Sequence, residues 1–395
     1  MRAKSWFRGG LAKIRILILY LGSIARNTGT SERVLQVARA LAGQDAKVVF
    51  SASVRDSPEN QKPCEKMNII RMPSSILMPL DVLRWIIKLI TTALTHGLYD
   101  IVQVEEFSFL RSLTLYFLLR PFGRKFIIVF HDKCWECDPR RTLSGRLEVM
   151  LQRLLLIVFN ASITPGLTVK KWLEELHGTQ LCRKIVVIPN GVPNLNVKNN
   201  LDYKRLREKY GIDPNAFIAL FFGSMTFKPN REAAMHLYKI SDFLSHRFEE
   251  ITERKLIFLV AGVGSKALPE MQCFVPLGFV KELSELLSLP DVIVFPHTPS
   301  YSGPHVKTIY GFLSKKPVIA TEDAVKDMPG VTEGREFILF NIYEPSTLLN
   351  AIVDIYYHKE LKESLATNAY LYSKKFSWQY VSSLHLRLYE KLMSV

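Results

Sequence analysis

The sequence contains no run of about 20 uncharged apolar residues, the length that a membrane-spanning helix requires. Its most apolar stretches are interrupted, residues 76–98 by three charged side chains and residues 154–169 by Asn160 and Pro165. The basic start of the chain resembles the beginning of a signal peptide, but the apolar run after it contains Arg15 and is predicted to be a buried strand. No transmembrane helix is therefore predicted.

Cysteine is scarce, with five residues among 395, and their scattered spacing is typical of a reducing compartment. Cys134 and Cys137 form a lone C-x-x-C, with His131 and Asp138 close in sequence. A zinc site of the finger type would need a second ligand pair at a matching spacing. This pattern favours structural thiols or a disulfide over zinc, and no metal is predicted.

Positive charge is concentrated in one half of the chain. Lys and Arg exceed Asp and Glu by 15 overall, but residues 1–198 hold 29 basic and 15 acidic residues, whereas the remainder holds 23 and 22. Anionic lipid attracts surface Lys and Arg at about 1 kcal/mol each, and nucleic acid attracts them through its phosphates. Because the sequence carries no nucleic-acid-binding motif, an anionic membrane is the predicted partner and nucleic acid is not. An ordinary solvated basic face is the alternative.

Apolar runs of strand length alternate with amphipathic segments along the chain, a pattern that predicts parallel sheets with helices on both faces. An apolar content of 48% excludes general disorder, and 395 residues suffice for two domains. The predicted class is α/β, with Rossmann-like doubly wound domains at 1–195 and 203–375 and a last helix at 376–395. Strands are predicted at 15–20, 47–51, 69–72, 101–104, 126–130, 161–164, 184–188, 217–222, 256–261, 292–295 and 317–321.

Four motifs stand at characteristic places in this pattern. An apolar run ends in Pro-Asn-Gly at residues 185–192, and Gly-Thr-Ser-Glu-Arg-Val opens a helix at 29–34. The other two motifs occupy residues 221–231 and 307–321. Together they resemble the retaining two-domain (GT-B) glycosyltransferases of group 1, or family 4, from about Lys13 to the C-terminus. The resemblance implies two domains that face each other across a cleft, with the last helix crossing back to the first domain.

The function that this resemblance implies is transfer of a hexose, with retention and without a metal or other cofactor. The donor would be a nucleoside-diphosphate sugar bound by the second domain. The acceptor would be a hydroxyl of a glycan or lipid-linked sugar bound by the first domain. We accordingly expect a cytoplasmic enzyme whose basic half contacts the inner face of the cell membrane peripherally.

The residues expected to act follow from the same motifs. Lys307 heads a predicted helix and aligns with the lysine of the family's Gly-Ser-Gly-x-x-x-Lys variant, so the resemblance implies that it binds the donor diphosphate. His131 and Asp132 follow a predicted strand at the edge where open α/β sheets bind ligands, and they complete the catalytic set. Asn190 and Gly191 are assigned to the acceptor side or cleft. Donor binding is assigned to Gly29, Thr30, Gly223, Ser224, Lys228, Asn230, Ser302, Gly303, Thr308 and Tyr310.

Two positions depart from the family pattern. Relatives carry Glu-x7-Glu, in which the first glutamate contacts the donor sugar and the second binds the ribose. In this sequence Ser302 stands at the first position and Tyr310 at the second. Tyr310 offers a hydroxyl and an aromatic face, and Glu322 or Asp323 could reach in from the next loop. The departure motivates a second hypothesis, a non-catalytic GT-B-like scaffold or regulatory partner of an active transferase at the membrane.

Overall fold

The structure is a computed structural model that describes residues 14–23, 29–44, 46–53, 67–72, 79–105, 108–132, 139–193, 203–299 and 306–394. The chain divides into two compact units. Unit 1 comprises Met1–Gly191 with Trp378–Val395, and unit 2 comprises Val192–Ser377. Among the described residues, no helix is long and apolar enough to cross a membrane.

Each unit contains one parallel β-sheet, with seven strands in the order β3-β2-β1-β4-β5-β6-β7 in unit 1 and six in the order β10-β9-β8-β11-β12-β13 in unit 2. The strands are β1 (Arg15–Ser23), β2 (Lys47–Ser53), β3 (Asn68–Arg71), β4 (Tyr99–Glu105), β5 (Gly123–Val129), β6 (Ala161–Thr164), β7 (Ile185–Val187), β8 (Phe217–Phe222), β9 (Leu256–Ala261), β10 (Phe274–Gly278), β11 (Val292–Phe295), β12 (Val318–Ala320) and β13 (Ile338–Leu339). The predicted fold class is therefore confirmed.

Helices connect the strands and cover the sheets. They are α1 (Gly29–Gly43), α2 (Pro79–His96), α3 (Phe109–Leu119), α4 (Leu143–Val158), α5 (Leu167–His177), α6 (Tyr203–Lys209), α7 (Lys228–Thr252), α8 (Leu283–Ser288), α9 (Val306–Leu313), α10 (Glu322–Val325), α11 (Pro345–Tyr357), α12 (Lys359–Ser373) and α13 (Trp378–Met393). Unit 1 has one apolar core on each face of its sheet: α2, α3, α4 and α5 pack on one face, and α1 and α13 pack on the other. In unit 2, one core surrounds the fully buried strands β8 and β9.

All eleven predicted strands are present, and two further strands were not predicted. The missed strand β10 contains Pro276, which lacks a backbone N–H and is tolerated because β10 lies at the edge of its sheet. The missed strand β13 is only two residues long, too short for an apolar run to reveal it.

Candidate functional site

Glycines at the carboxyl ends of β8 and β9 bring two loops of unit 2 into close contact. A Cβ on Gly223 would lie 2.8 Å from Nδ2 of Asn230 and 3.5 Å from Nζ of Lys307. A Cβ on Gly262 would lie 1.9 Å from the carbonyl oxygen of Gly223, and the φ of Gly262 is +137°. Only glycine fits at positions 223 and 262, and the close packing places the backbone of Gly223 beside the side chains of Asn230 and Lys307.

Lys307 lies in the first turn of α9 and reaches toward this loop. Its ammonium group donates a hydrogen bond to Oδ1 of Asn230 and lies 5.6 Å from the centroid of the Phe221 ring. Nδ2 of Asn230 in turn donates to the carbonyl oxygen of Ser224 at 2.9 Å. The structure thus brings together four residues that the sequence assigned to donor binding or catalysis: Gly223, Ser224, Asn230 and Lys307.

The environment of Lys307 lowers the pKa of its ammonium group to about 7. Desolvation is the main cause, and the negative charge of Asp323 opposes it. A bound anion would favour the charged form. The site is therefore suited to an anionic ligand that neutralises a poorly solvated cation.

The other predicted donor residues differ in placement. Lys228 begins α7 with a side chain that is 63% exposed, 3.9 Å from Glu232. Thr308 is buried, and its hydroxyl donates a hydrogen bond to the carbonyl oxygen of Ala324 at 2.9 Å. This hydroxyl therefore has a structural partner inside unit 2. Tyr310 is half-buried against the core of unit 2.

Several predicted residues can be placed only in part. In unit 1, Gly29 and Thr30 form the start of α1. Asp132 is exposed. Ser302 and Gly303 lie outside the described residues, as do Cys134 and Cys137 of the C-x-x-C. Among the residues that the structure describes, no group of three or more His, Cys, Asp or Glu side chains is placed to hold a metal ion.

A cavity of about 550 Å³ opens in unit 2 beside the ends of β11, β12 and β13. Its lining combines His297, whose ring stacks on Phe295, with Tyr343 and the carboxylates of Glu322 and Asp323. Asp323 forms an ion pair with Lys326 at 2.7 Å, whereas Glu322 is exposed. The cavity thus offers aromatic, carboxylate and amine groups to a ligand.

In unit 1, His131 directly faces a buried carboxylate. Nε2 of His131 lies 2.9 Å from Oε2 of Glu105, which ends the neighbouring strand β4 and is 2% exposed. Burial alone would raise the pKa of Glu105, but the neighbouring side chains of His131, Arg33 and Gln103 outweigh burial and lower it. Glu105 is therefore an anion at neutral pH, held at the carboxyl edge of the sheet.

The Pro-Asn-Gly turn is fixed by two long-range contacts within unit 1. Nη1 of Arg33, a buried residue of α1, donates to Oδ1 of Asn190 at 2.6 Å. A Cβ on Gly191 would lie 2.3 Å from the Trp378 ring of α13. The sequence analysis identified Asn190 and His131 but missed their partners, Arg33 and Glu105. The available signal was a charged residue within the apolar face of a helix and a carboxylate at the end of an apolar run.

Comparison with known families agrees with this geometry. Residues 27–194 match the model of Glycosyltransferase Family 4, and residues 218–358 match that of Glycosyl transferases group 1. The chain belongs to the group 1 glycosyltransferases. This glycosyltransferase therefore has the family and the GT-B fold that its motifs predicted, whereas no protein with a curated description matches its sequence.

Solved structures share the fold of this glycosyltransferase at low sequence identity. A glycosyltransferase from Rickettsia africae has a TM-score of 0.71 and 19% identity, with 97% of this chain and 99% of that chain covered. HepE from Anabaena, solved in complex with UDP, has a TM-score of 0.67 and 16% identity over 97% and 100% of the chains. Sucrose-phosphate synthase from Thermosynechococcus elongatus has a TM-score of 0.66 and 15% identity over 97% and 100%.

Proposed function

We propose that this glycosyltransferase moves a hexose from a nucleoside-diphosphate sugar to an acceptor hydroxyl, and that Lys307 binds the donor diphosphate. The observation that carries the proposal is the desolvated ammonium group of Lys307, hydrogen-bonded to Asn230 beside Gly223. HepE has been solved with UDP and with UDP-glucose, so a UDP-sugar is the first donor to test.

A diphosphate suits this position for two physical reasons. Its negative charges would compensate the ammonium group of Lys307, which now has a neutral amide as its hydrogen-bond acceptor. A side chain at position 223 would collide with Asn230 and come into contact with Nζ of Lys307, whereas glycine lets the backbone of this loop approach a phosphate closely.

The chemistry is proposed to proceed with retention and without a metal. The bond between the anomeric carbon and the diphosphate oxygen breaks, and the acceptor oxygen forms its bond on the same face. The acceptor proton passes to the departing diphosphate, whose charge Lys307 stabilises. His131 in unit 1 would contact the donor sugar or the acceptor, which is proposed to be a glycan or a lipid-linked sugar.

The cavity offers a replacement for the missing glutamate pair. Tyr310 stands at the position of the ribose-binding glutamate, whereas Glu322 and Asp323 line the cavity of about 550 Å³. Carboxylates accept hydrogen bonds from vicinal hydroxyls, and an exposed tyrosine such as Tyr343 can pack against a sugar ring. We therefore assign the hydroxyl groups of the donor to this cavity.

Donor affinity is expected to fall at alkaline pH. Because the pKa of Lys307 is about 7 without ligand and a bound diphosphate raises it, binding takes up a proton above pH 7. The Kd of UDP-glucose should stay constant from pH 5.5 to 6.5 and then rise about tenfold per pH unit between pH 7.5 and 8.5. Calorimetric titration across this range measures it, and Lys307→Ala should remove the slope. A flat profile for the unmodified enzyme would refute the role of Lys307.

An exposed face of unit 1 supports the proposed membrane contact. Helices α2, α3 and α4 pack on the same side of the sheet, and their outer surfaces carry five basic and two acidic residues. The exposed apolar side chains of this α2–α4 face are Leu80, Leu83, Ile87, Leu94, Leu110, Phe117, Leu118, Leu143, Leu147, Met150, Leu154 and Ile157. A combination of apolar and basic side chains matches an anionic lipid surface, where the enzyme would sit at the inner face of the cell membrane.

Vesicle sedimentation tests the α2–α4 face. The protein should sediment with vesicles of 70% phosphatidylcholine and 30% phosphatidylglycerol, and much less with pure phosphatidylcholine. Replacing Leu83 and Leu147 with glutamate should lower the partition coefficient roughly tenfold or more, because each change removes apolar contact and adds repulsion. Leu371→Glu, an equally exposed site in unit 2, is the matched control. Equal sedimentation of all three proteins would exclude this surface and leave a protein partner as the occupant.

The missing glutamates also support a second candidate function. With Ser302 and Tyr310 in place of both carboxylates, the chain would act as a scaffold or regulatory partner of an active transferase at the membrane. This hypothesis predicts no saturable binding of any nucleotide sugar, which separates it from the first.

A further inference from the structure

We propose that Glu105 is a positioning residue that fixes which ring nitrogen of His131 carries the proton. The inference rests on the proposed function, in which His131 contacts the reacting sugars. A chain of buried polar contacts carries it, in which the first two links are hydrogen bonds: the hydroxyl of Tyr389 donates to Oε1 of Gln103 at 2.5 Å, and Nε2 of Gln103 donates to Oε1 of Glu105 at 2.6 Å. Oε2 of Glu105 lies 2.9 Å from Nε2 of His131.

Each link of this chain has one direction. The oxygen of the Gln103 amide accepts the Tyr389 hydroxyl, so its NH2 group faces Glu105. Oε2 of Glu105 lies only 2.9 Å from Nε2 of His131, and a carboxylate at this distance favours a proton over a lone pair on the nitrogen that faces it. A neutral imidazole held in this way has its proton on Nε2 and its lone pair on Nδ1.

Burial makes this arrangement rigid. Gln103 and Glu105 are 1% and 2% exposed, and Tyr389 of α13 is fully buried. Among the described residues, Arg33 and His385 also lie near Glu105, and Asp132 directly follows His131. Burial lowers the pKa of His385 to about 4, so it is neutral. The side chain of His131, at 13% exposure, is the end of the chain that a ligand can reach.

The consequence for the reaction is that His131 presents a hydrogen-bond acceptor, Nδ1, to the sugars. With its proton on Nε2, facing Glu105, His131 can accept a hydrogen bond at Nδ1 from a hydroxyl of the donor sugar or of the acceptor sugar. The other tautomer would present a donor at Nδ1 and repel a hydroxyl hydrogen. Helix α13 contributes to this choice from the end of the chain, through Tyr389.

The variant Glu105→Gln reverses the last link. Gln103 still donates to the oxygen at position Oε1, so the new NH2 group occupies the Oε2 position and donates to His131. We expect two-bond 1H–15N spectra of histidine-labelled protein to show the proton of His131 on Nε2 in the unmodified enzyme and on Nδ1 in the variant. His131→Ala assigns the signal. The kcat for turnover of the bound nucleotide sugar should fall on the order of 100-fold while KM changes little, as for loss of one preorganised hydrogen bond in the transition state.

Tyr389→Phe is the second variant, because it keeps the buried ring and releases the Gln103 amide. It should give a mixture of both His131 tautomers and a smaller loss of kcat. Unchanged Nε2 protonation in both variants, or a reversed tautomer with unchanged kcat, would overturn the proposal. Failure of the proposed function has a different signature, the absence of nucleotide-sugar binding by the unmodified protein, and the tautomer spectra test Glu105 in that case as well.

Discussion

Replacing Lys307 with alanine is expected to raise the Kd of a nucleoside-diphosphate sugar about 100-fold at pH 6.5. The charged amine would form hydrogen bonds to phosphate worth about 1.5–3 kcal/mol each, and alanine offers none. The protein should remain folded, because a desolvated ammonium group is unfavourable and the variant removes it from α9, beside the Gly223 loop. Calorimetric titration gives the Kd, and a thermal melt confirms the fold.

Two other lysines serve as controls for this result. Lys239 is exposed on α7, and Lys239→Ala should leave the Kd unchanged. Lys228→Ala should raise it less than Lys307→Ala does, because the Lys228 side chain is 63% exposed and its interactions are screened by water. A larger loss of affinity for Lys228→Ala than for Lys307→Ala would show that Lys228, and not Lys307, is the main diphosphate-binding lysine.

Gly262→Ala is expected to lower the free energy of unfolding by about 2–4 kcal/mol, with a loss of donor affinity. The added Cβ would lie 1.9 Å from the carbonyl oxygen of Gly223, and φ is +137°, a region that side chains rarely adopt. The loop of Gly223 must move, so Asn230 and Lys307 lose their arrangement. Urea unfolding measures the stability, and the same titration measures affinity.

Gly211→Ala provides the matched control for strain without collision. Its φ is +66°, but a Cβ there would have no neighbour within 4 Å. It should cost only about 1–2 kcal/mol, as a left-handed non-glycine residue does, with no change in affinity. If Gly262→Ala were no less stable than Gly211→Ala, the close packing of the two loops would be contradicted.

Much of the fold follows from local pattern, because a parallel strand buried on both faces must be apolar throughout. Strand β8, Phe-Ile-Ala-Leu-Phe-Phe, is fully buried and has the predicted bounds. Strand β10 escaped because its residues alternate between buried and partly exposed, as suits an edge strand, and because Pro276 argues against a strand. Local sequence therefore identifies central strands better than edge strands.

The site was predictable where motifs are short and local. Gly223, Asn230 and Lys307 were identified from short motifs that resemble those of the family, and the structure brings them together. Thr308 shows the limit of assigning roles by closeness in sequence. Successive helical residues point about 100° apart, so the side chain after Lys307 faces the core and donates a hydrogen bond to the carbonyl oxygen of Ala324.

Local sequence provided a signal for each partner of His131 and Asn190, but it could not predict which residues would pair. Glu105 lies 26 positions before His131, and Arg33 lies 157 positions before Asn190. Which strand ends meet depends on the order of strands in the sheet, in which β4 adjoins β5. Sequence patterns give the strands but not their order, so a buried carboxylate opposite a histidine appears only in the folded chain.

Calorimetric titration of the unmodified protein with UDP-, GDP- and ADP-sugars, each with and without a chelator, decides between transferase and scaffold. We predict saturable binding of one donor class, unaffected by the chelator and weakened about 100-fold in Lys307→Ala. Absence of binding across the whole panel, by a protein whose thermal melt shows that it is folded, would contradict a nucleotide-sugar-dependent glycosyltransferase and favour the scaffold.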